Sequence, residues 1–163
     1  MYKLSFSGVI RLSDDTLIPA CADNIDYQNY LIWVAAGNTP EPIYSLAELQ
    51  AQNWANIKNL RSVKQNGGVV VGKSWFQTDA NSRIQYLALV MMGANLPADI
   101  QWKLYDNSFV TMTQQLAAQV FTALATSDQA IFAHAEQLKA SMMALSDPSN
   151  FDATQGWPKI YGE

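Results

Sequence analysis

Gly67-Gly68-Val69-Val70-Val71-Gly72-Lys73-Ser74 has the spacing G-x-x-x-x-G-K-[ST], in which backbone amides wrap a nucleotide's phosphates and the lysine reaches the terminal ones. That chemistry needs a strand ahead of the first glycine and a helix opening at the lysine, because helix amides and the helix dipole hold the anion. Here a basic, helix-patterned stretch precedes the octet and Trp75-Phe76 follows it. The three valines favour a strand over an open loop. The octet therefore reads as a β-hairpin turning at Gly72-Lys73, and a nucleotide hydrolase acting at Lys73 and Ser74 is the lesser alternative.

Three other groups could do chemistry. His134 is the single histidine, with no Cys, Asp or Glu three or four positions away, so it lacks the local partners of a metal site and reads as a packed or boundary residue. Cys21 is the single cysteine, and its one conceivable base is His134, far along the chain; a cysteine hydrolase has no further support. Asp14-Asp15 lies between Ser13 and Thr16, which is ordinary turn composition. No catalytic, cofactor-binding or metal-ligating residue is assigned.

The composition narrows the field further. The 163 residues carry 10 Lys+Arg against 14 Asp+Glu for a net charge of −4, leaving no basic field to hold a nucleic-acid backbone. One cysteine cannot form an intrachain disulfide, and no charged-then-apolar leader opens the sequence, so synthesis in a reducing cytoplasm is expected. The longest apolar run, Tyr86 to Met92, falls short of the ~20 residues of a membrane span; membrane insertion is not expected.

These side chains must be positioned by short elements. Lys3 to Leu12 alternates and breaks at Ser13-Asp14-Asp15, which predicts one strand and a turn. Asp23 to Asp26 offers capping side chains, and Tyr27, Tyr30, Leu31 and Val34 follow at helical spacing before Gly37-Asn38. Thr39-Pro40-Glu41-Pro42 stiffens an extended connection, and the module boundary is placed there: residues 1–44, then 45–163.

In the larger module Ser45-Leu46-Ala47-Glu48 is a capping box. It opens a helix with Leu46, Leu49, Ile57 and Leu60 on its apolar stripe and Trp54 at the margin, ended by Asn66-Gly67-Gly68. After the first hairpin, Thr78-Asp79 caps a helix bearing Ile84, Leu87, Ala88 and Met91. It is apolar nearly all round and expected to be central. Ile100, Trp102 and Leu104 alternate and turn at Asp106-Asn107 into Phe109 to Met112, a second hairpin. Thr113 caps the last helix, expected to reach Ser146, with Ala117, Leu124, Ile131, Leu138 and Leu145 every seven residues, flanked by Val120, Phe121, Ala135 and Met142. That stripe could pack within the chain or between copies in a homo-oligomer; Ser127, His134 and Ser141 at alternate positions favour the former. The aromatic tail from Phe151 is expected to fold back on the core. The fold class is α+β: a small N-terminal strand–helix module, then helix–hairpin–helix–hairpin–long helix.

Five Trp, seven Tyr and six Phe exceed the needs of so small a core. Aromatics in short segments, such as Tyr27, Tyr30 and Trp33, serve either as interface anchors or as core, and both roles stay open.

Two stretches carry a resemblance. Ile18-Pro19, Asn24-Ile25-Asp26-Tyr27-Gln28-Asn29-Tyr30-Leu31-Ile32-Trp33 and Gly37-Asn38-Thr39-Pro40-Glu41-Pro42 resemble a short segment, N-x-D-Y-x-x-Y-L-x-W-x-x-x-G-N-T-P-x-P, of small proteins from bacteriophage tail-fibre gene clusters. Residues 57 to about 158, through Gly67-Gly68-Val69, Phe76-Gln77-Thr78-Asp79, Ser82-Arg83, Trp102 and Phe109-Val110-Thr111-Met112, are similar to a domain of unknown function that often follows that segment in phage tail proteins. The resemblance implies a non-enzymatic component of the virion tail, made in the host bacterial cytoplasm. It would be structural or accessory to the fibre, with a tail-fibre or tail-tip protein as partner and Tyr27, Tyr30 and Trp33 as partner-binding residues. An assembly chaperone absent from the mature particle fits the same resemblance. A host-receptor-binding module fits it less well, since an acidic surface disfavours a direct polyanion contact. No cofactor is implied.

Overall fold

Residues 1–163 are described in the computed structural model, and their contacts divide the chain into Met1–Ala51 and Gln52–Glu163. The first unit begins with strands where the alternation of Lys3–Leu12 predicts only one. β1 (Tyr2–Ser5), β2 (Gly8–Arg11) and β3 (Thr16–Pro19) form an antiparallel meander with Tyr2 opposite Arg11 and Val9 opposite Ile18. The missed turn is short, at Phe6-Ser7, and Gly8 opens β2 after it, where a Cβ would strike the Ile18 carbonyl of β3. The second turn places Asp15 at φ 53, a left-handed position that aspartate tolerates.

Helix α1 (Ile25–Ala35) starts at Asn24, whose Oδ1 accepts from the Tyr27 amide at 3.2 Å. It ends where Gly37 adopts φ 91 and Asn38 Nδ2 donates to the Trp33 carbonyl at 2.9 Å. The Pro40-Glu41-Pro42 segment then joins the outer edge of β1, Glu41 donating to the Tyr2 carbonyl and accepting from the Leu4 amide, each at 2.8 Å. Val9, Ile18 and Tyr30 are the buried core of this unit, surrounded by Tyr2, Tyr27, Trp33 and Val34.

The remaining elements are α2 (Leu46–Asn66), β4 (Val69–Val71), β5 (Ser74–Phe76), α3 (Ala80–Met92), β6 (Gln101–Lys103), β7 (Phe109–Thr111) and α4 (Gln114–Met143). The order is helix, hairpin, helix, hairpin, long helix, and each hairpin is an antiparallel pair, so the fold is α+β. The capping box forms: Glu48 accepts from the Ser45 amide and hydroxyl, and Ser45 Oγ accepts from the Glu48 amide.

Helix α4 carries two cores in succession. Its first half packs Ala117, Val120 and Leu124 with Phe76, Tyr86 and Met112. Its second half packs Ile131 and Ala135 with Ile57, Ala153 and Trp157. Each fully buried large side chain among them contributes about 1.5–3 kcal/mol. The heptad stripe is thus used within the chain, and Phe121 and Leu145, expected to flank or lie in it, are 39% and 42% exposed.

The expectation that α3 is central does not hold. Tyr86 and Leu89 are its buried residues, whereas Ile84, Leu87, Ala88 and Met91 face outward. Its apolar residues occupy two opposite faces, and the fold has a layer for only one of them. The α2 stripe is also thinner than expected: Ile57 is buried, Leu49 and Leu60 are half-buried, and Leu46 is exposed.

Two constellations join these elements. Gly67 and Gly68 approach other chain segments closely: a Cβ on Gly67 would strike Ile160, and one on Gly68, at φ 97, would lie 2.7 Å from the Tyr105 ring. Arg83 donates to Asp128 of α4, to the Thr78 carbonyl and to the Gln65 carbonyl at the end of α2. One guanidinium thereby ties three helices together.

Candidate functional site

The three aromatic residues singled out in the N-terminal segment are brought together by α1, because positions 27, 30 and 33 fall on one face. The fourth member is Tyr2 of β1, which lies outside the helical spacing that marks the other three. Tyr2 meets Tyr30 edge-on at 5.2 Å between ring centroids and Trp33 at 5.1 Å, and Tyr27 lies 5.6 Å from Tyr30. Such pairs contribute about 0.5–1.5 kcal/mol beyond their burial.

This cluster is first a core. Tyr30 is 8% exposed and packs with Val9 and Ile18, so what it presents to a partner is small. Tyr27 and Trp33 are half-buried and keep an edge accessible. The other motif residues are similarly occupied. Asn24 caps the helix, Asp26 accepts from Arg11 at 2.8 Å, Asn38 caps the far end, and Glu41 pairs with β1. Arg11 also holds Asp14, whose carboxyl falls from its ordinary 3.8 to about 2, chiefly through that hydrogen bond.

What α1 presents to solvent is different. Ile25 and Ile32, seven residues apart and therefore on one face, are 73% and 68% exposed, and Gln28 and Asn29 lie between them without charge. Leu31 is half exposed on the flank. A partner approaching this helix meets an uncharged, partly apolar strip bordered by the edges of Tyr27 and Trp33. Periodicity marks the buried face of a short helix and is silent about two isoleucines on the other side, which is why the sequence did not single them out.

The groups that could do chemistry stand on different elements. Gly72 sits at φ 64 with Lys73 at the tip of the β4–β5 turn. A strand follows Lys73, so its amides lie in a hairpin and not in a phosphate cradle. His134 Nε2 lies 2.9 Å from the Gln155 carbonyl, and its ring packs edge-on against Trp157 at 4.8 Å; it belongs to the second unit, and the exposed Cys21 to the first. No three His, Cys, Asp or Glu side chains are grouped closely enough to hold a metal ion. No helix is long and apolar enough to cross a membrane.

In the second unit the Thr78-Asp79 and Ser82-Arg83 pairs are structural too. Thr78 Oγ1, buried, accepts from the Gly68 amide at 2.9 Å. Asp79 accepts from the Asn81 and Ser82 amides and the Ser82 hydroxyl, which lower its pKa. The surface depressions beside α4, of about 560 and 530 Å³, share Val70 and Ala123 and have Lys159 as their one charged lining residue. Neither contains a nucleophile paired with a base.

The sequence profile of a family described as Domain of unknown function (DUF4376) matches residues 48–155. The chain belongs to that family. The matched stretch begins in the first turns of α2 and ends just before Trp157, so the DUF4376 domain includes both hairpins, α3 and all of α4. The α1 face lies N-terminal to it. No curated protein and no solved structure matches the chain.

Proposed function

We propose that this protein is a non-enzymatic component of a bacteriophage tail, structural or accessory to the tail fibre, in which α1 and the strands beneath it dock onto a tail-fibre or tail-tip protein. The observation that carries the docking role is the uncharged Ile25–Ile32 face of α1, held out by an aromatic core of three rings from the helix and Tyr2 from β1. The segment's resemblance to proteins of tail-fibre clusters supplies the place of action. The engagement of Lys73, His134 and the motif carboxylates in turns, packing and caps supports a binding role over a catalytic one. The protein would be made in the host cytoplasm and act in the virion tail.

The test is co-purification of the tagged full chain with the fibre protein from the same gene cluster. Ile25→Glu with Ile32→Glu is expected to abolish capture while leaving the thermal melt unchanged, since both side chains point to solvent. Undiminished capture by the doubly substituted protein would remove α1 as the docking element.

A further inference from the structure

Helix α3 leaves outside the side chains its composition marks for a core. Ile84 is 66% exposed, Leu87 44%, Met91 78% and Met92 40%. Ala88 is exposed among them, and the one charged residue of α3, Arg83, is turned into its pair with Asp128. The outward stripe is therefore uncharged.

Helix α4 packs on the opposite side of α3, where Tyr86 and Leu89 share a core with Ala117, Val120 and Leu124. Arg83 meets Asp128 and Gly93 lies near Gln114, so α3 and α4 run antiparallel.

We propose that this face is the docking site for a second copy of the chain, forming a two-fold dimer whose central contact is α3 packed antiparallel on α3. Its size suits the centre of such a contact: Ile84, Leu87, Met91 and Met92 expose roughly 400 Å² of apolar surface, the scale of a functional patch and about half of the ~800 Å² per partner of a stable dimer, the rest falling to a polar rim. Its charge fits as well. Two copies at −4 each repel over most of their surfaces and meet at least cost on an uncharged one, while a partner selected by charge would find no counterpart there.

Its shape is self-complementary. Positions 84, 87, 88 and 91 are symmetric about the midpoint of Leu87 and Ala88. A two-fold axis at that point sets Ile84 against Met91 of the partner subunit and Leu87 over Ala88 of the partner subunit, where the small side chain leaves room for the large one.

Sedimentation velocity of the full chain at micromolar concentration is expected to give twice the 18.1 kDa chain mass. Ile84→Glu with Met91→Glu, both at solvent-facing positions, is expected to weaken the dimer by at least about tenfold and leave monomers with an unchanged circular dichroism spectrum. As a second measure, Ala88→Cys in a Cys21→Ser background is expected to crosslink two chains under mild oxidation, whereas Ala55→Cys on α2 in that background is not. A wild-type chain that sediments as a monomer overturns the proposal. So does a dimer that survives the double substitution, or one that fails to crosslink at position 88.

Discussion

Tyr30 and Ile32 stand two residues apart on α1 and do opposite work. Tyr30 closes the core of the first unit against Tyr2, Val9 and Ile18, so Tyr30→Ala should cost that unit about 3 kcal/mol through lost burial and the cavity left behind. Hydrogen exchange would show it as lost protection in Met1–Ala51 with the second unit unaffected. Ile32 should tolerate Glu without that loss. Tyr86 presents a second contrast. It is fully buried, its hydroxyl has no hydrogen-bond partner, and burial pushes its pKa above the usual range. Because an unsatisfied buried hydroxyl costs free energy and the ring packs at 4.3 Å from Trp102, Tyr86→Phe is expected to keep the fold and leave the melting temperature equal or higher. A clear drop on calorimetry would mean that the hydroxyl has a role the packing does not reveal.

At the scale of elements, Arg83 governs how α2, α3 and α4 meet. Its side chain and that of Asp128 are each 28% exposed, and Arg83→Met is expected to lower stability by about 2 kcal/mol, read from urea denaturation, because the Gln65 and Thr78 carbonyls lose a charged donor along with Asp128. What the sequence made legible follows from how local each signal is. The Gly72-Lys73 hairpin, the Ser45–Glu48 box and the Thr113 cap are decided by residues within a few positions, and they stand where they were expected. The β1–β2 turn was hidden because Leu4, Phe6, Ile10 and Leu12 alternate straight across it. The outward face of α3 was hidden because an apolar stripe shows amphipathicity but not which of two apolar faces the neighbouring layer covers; Tyr86 and Leu89 took the inner one. The candidate site was half legible: the aromatic spacing located α1, but a pattern that places rings on one face also places them in the core.

For the whole molecule, the same short-range bonds predict behaviour in acid. Asp14 is lowered to about 2 by Arg11, and Asp79, Asp106 and Asp152 are lowered mainly by neighbouring hydroxyls. A depressed folded pKa gives stability that is present above the unfolded value of 3.8 and lost as pH falls through the folded one. Because Glu48 and Glu163 are lowered likewise from 4.5, melting temperatures should hold from neutral pH down to about 4.5 and decline below it; a decline beginning near neutrality would contradict this. Millimolar ATP with magnesium should leave the melt unmoved for both wild type and Lys73→Ala, since no phosphate cradle exists at the hairpin tip. Whether the protein works in the tail beside the fibre is read from quantitative mass spectrometry of purified phage particles and of the infected-cell lysate. The chain is expected in particles at a fixed ratio to the fibre protein. Abundance in lysate with absence from particles would contradict a structural component and leave the assembly chaperone in its place.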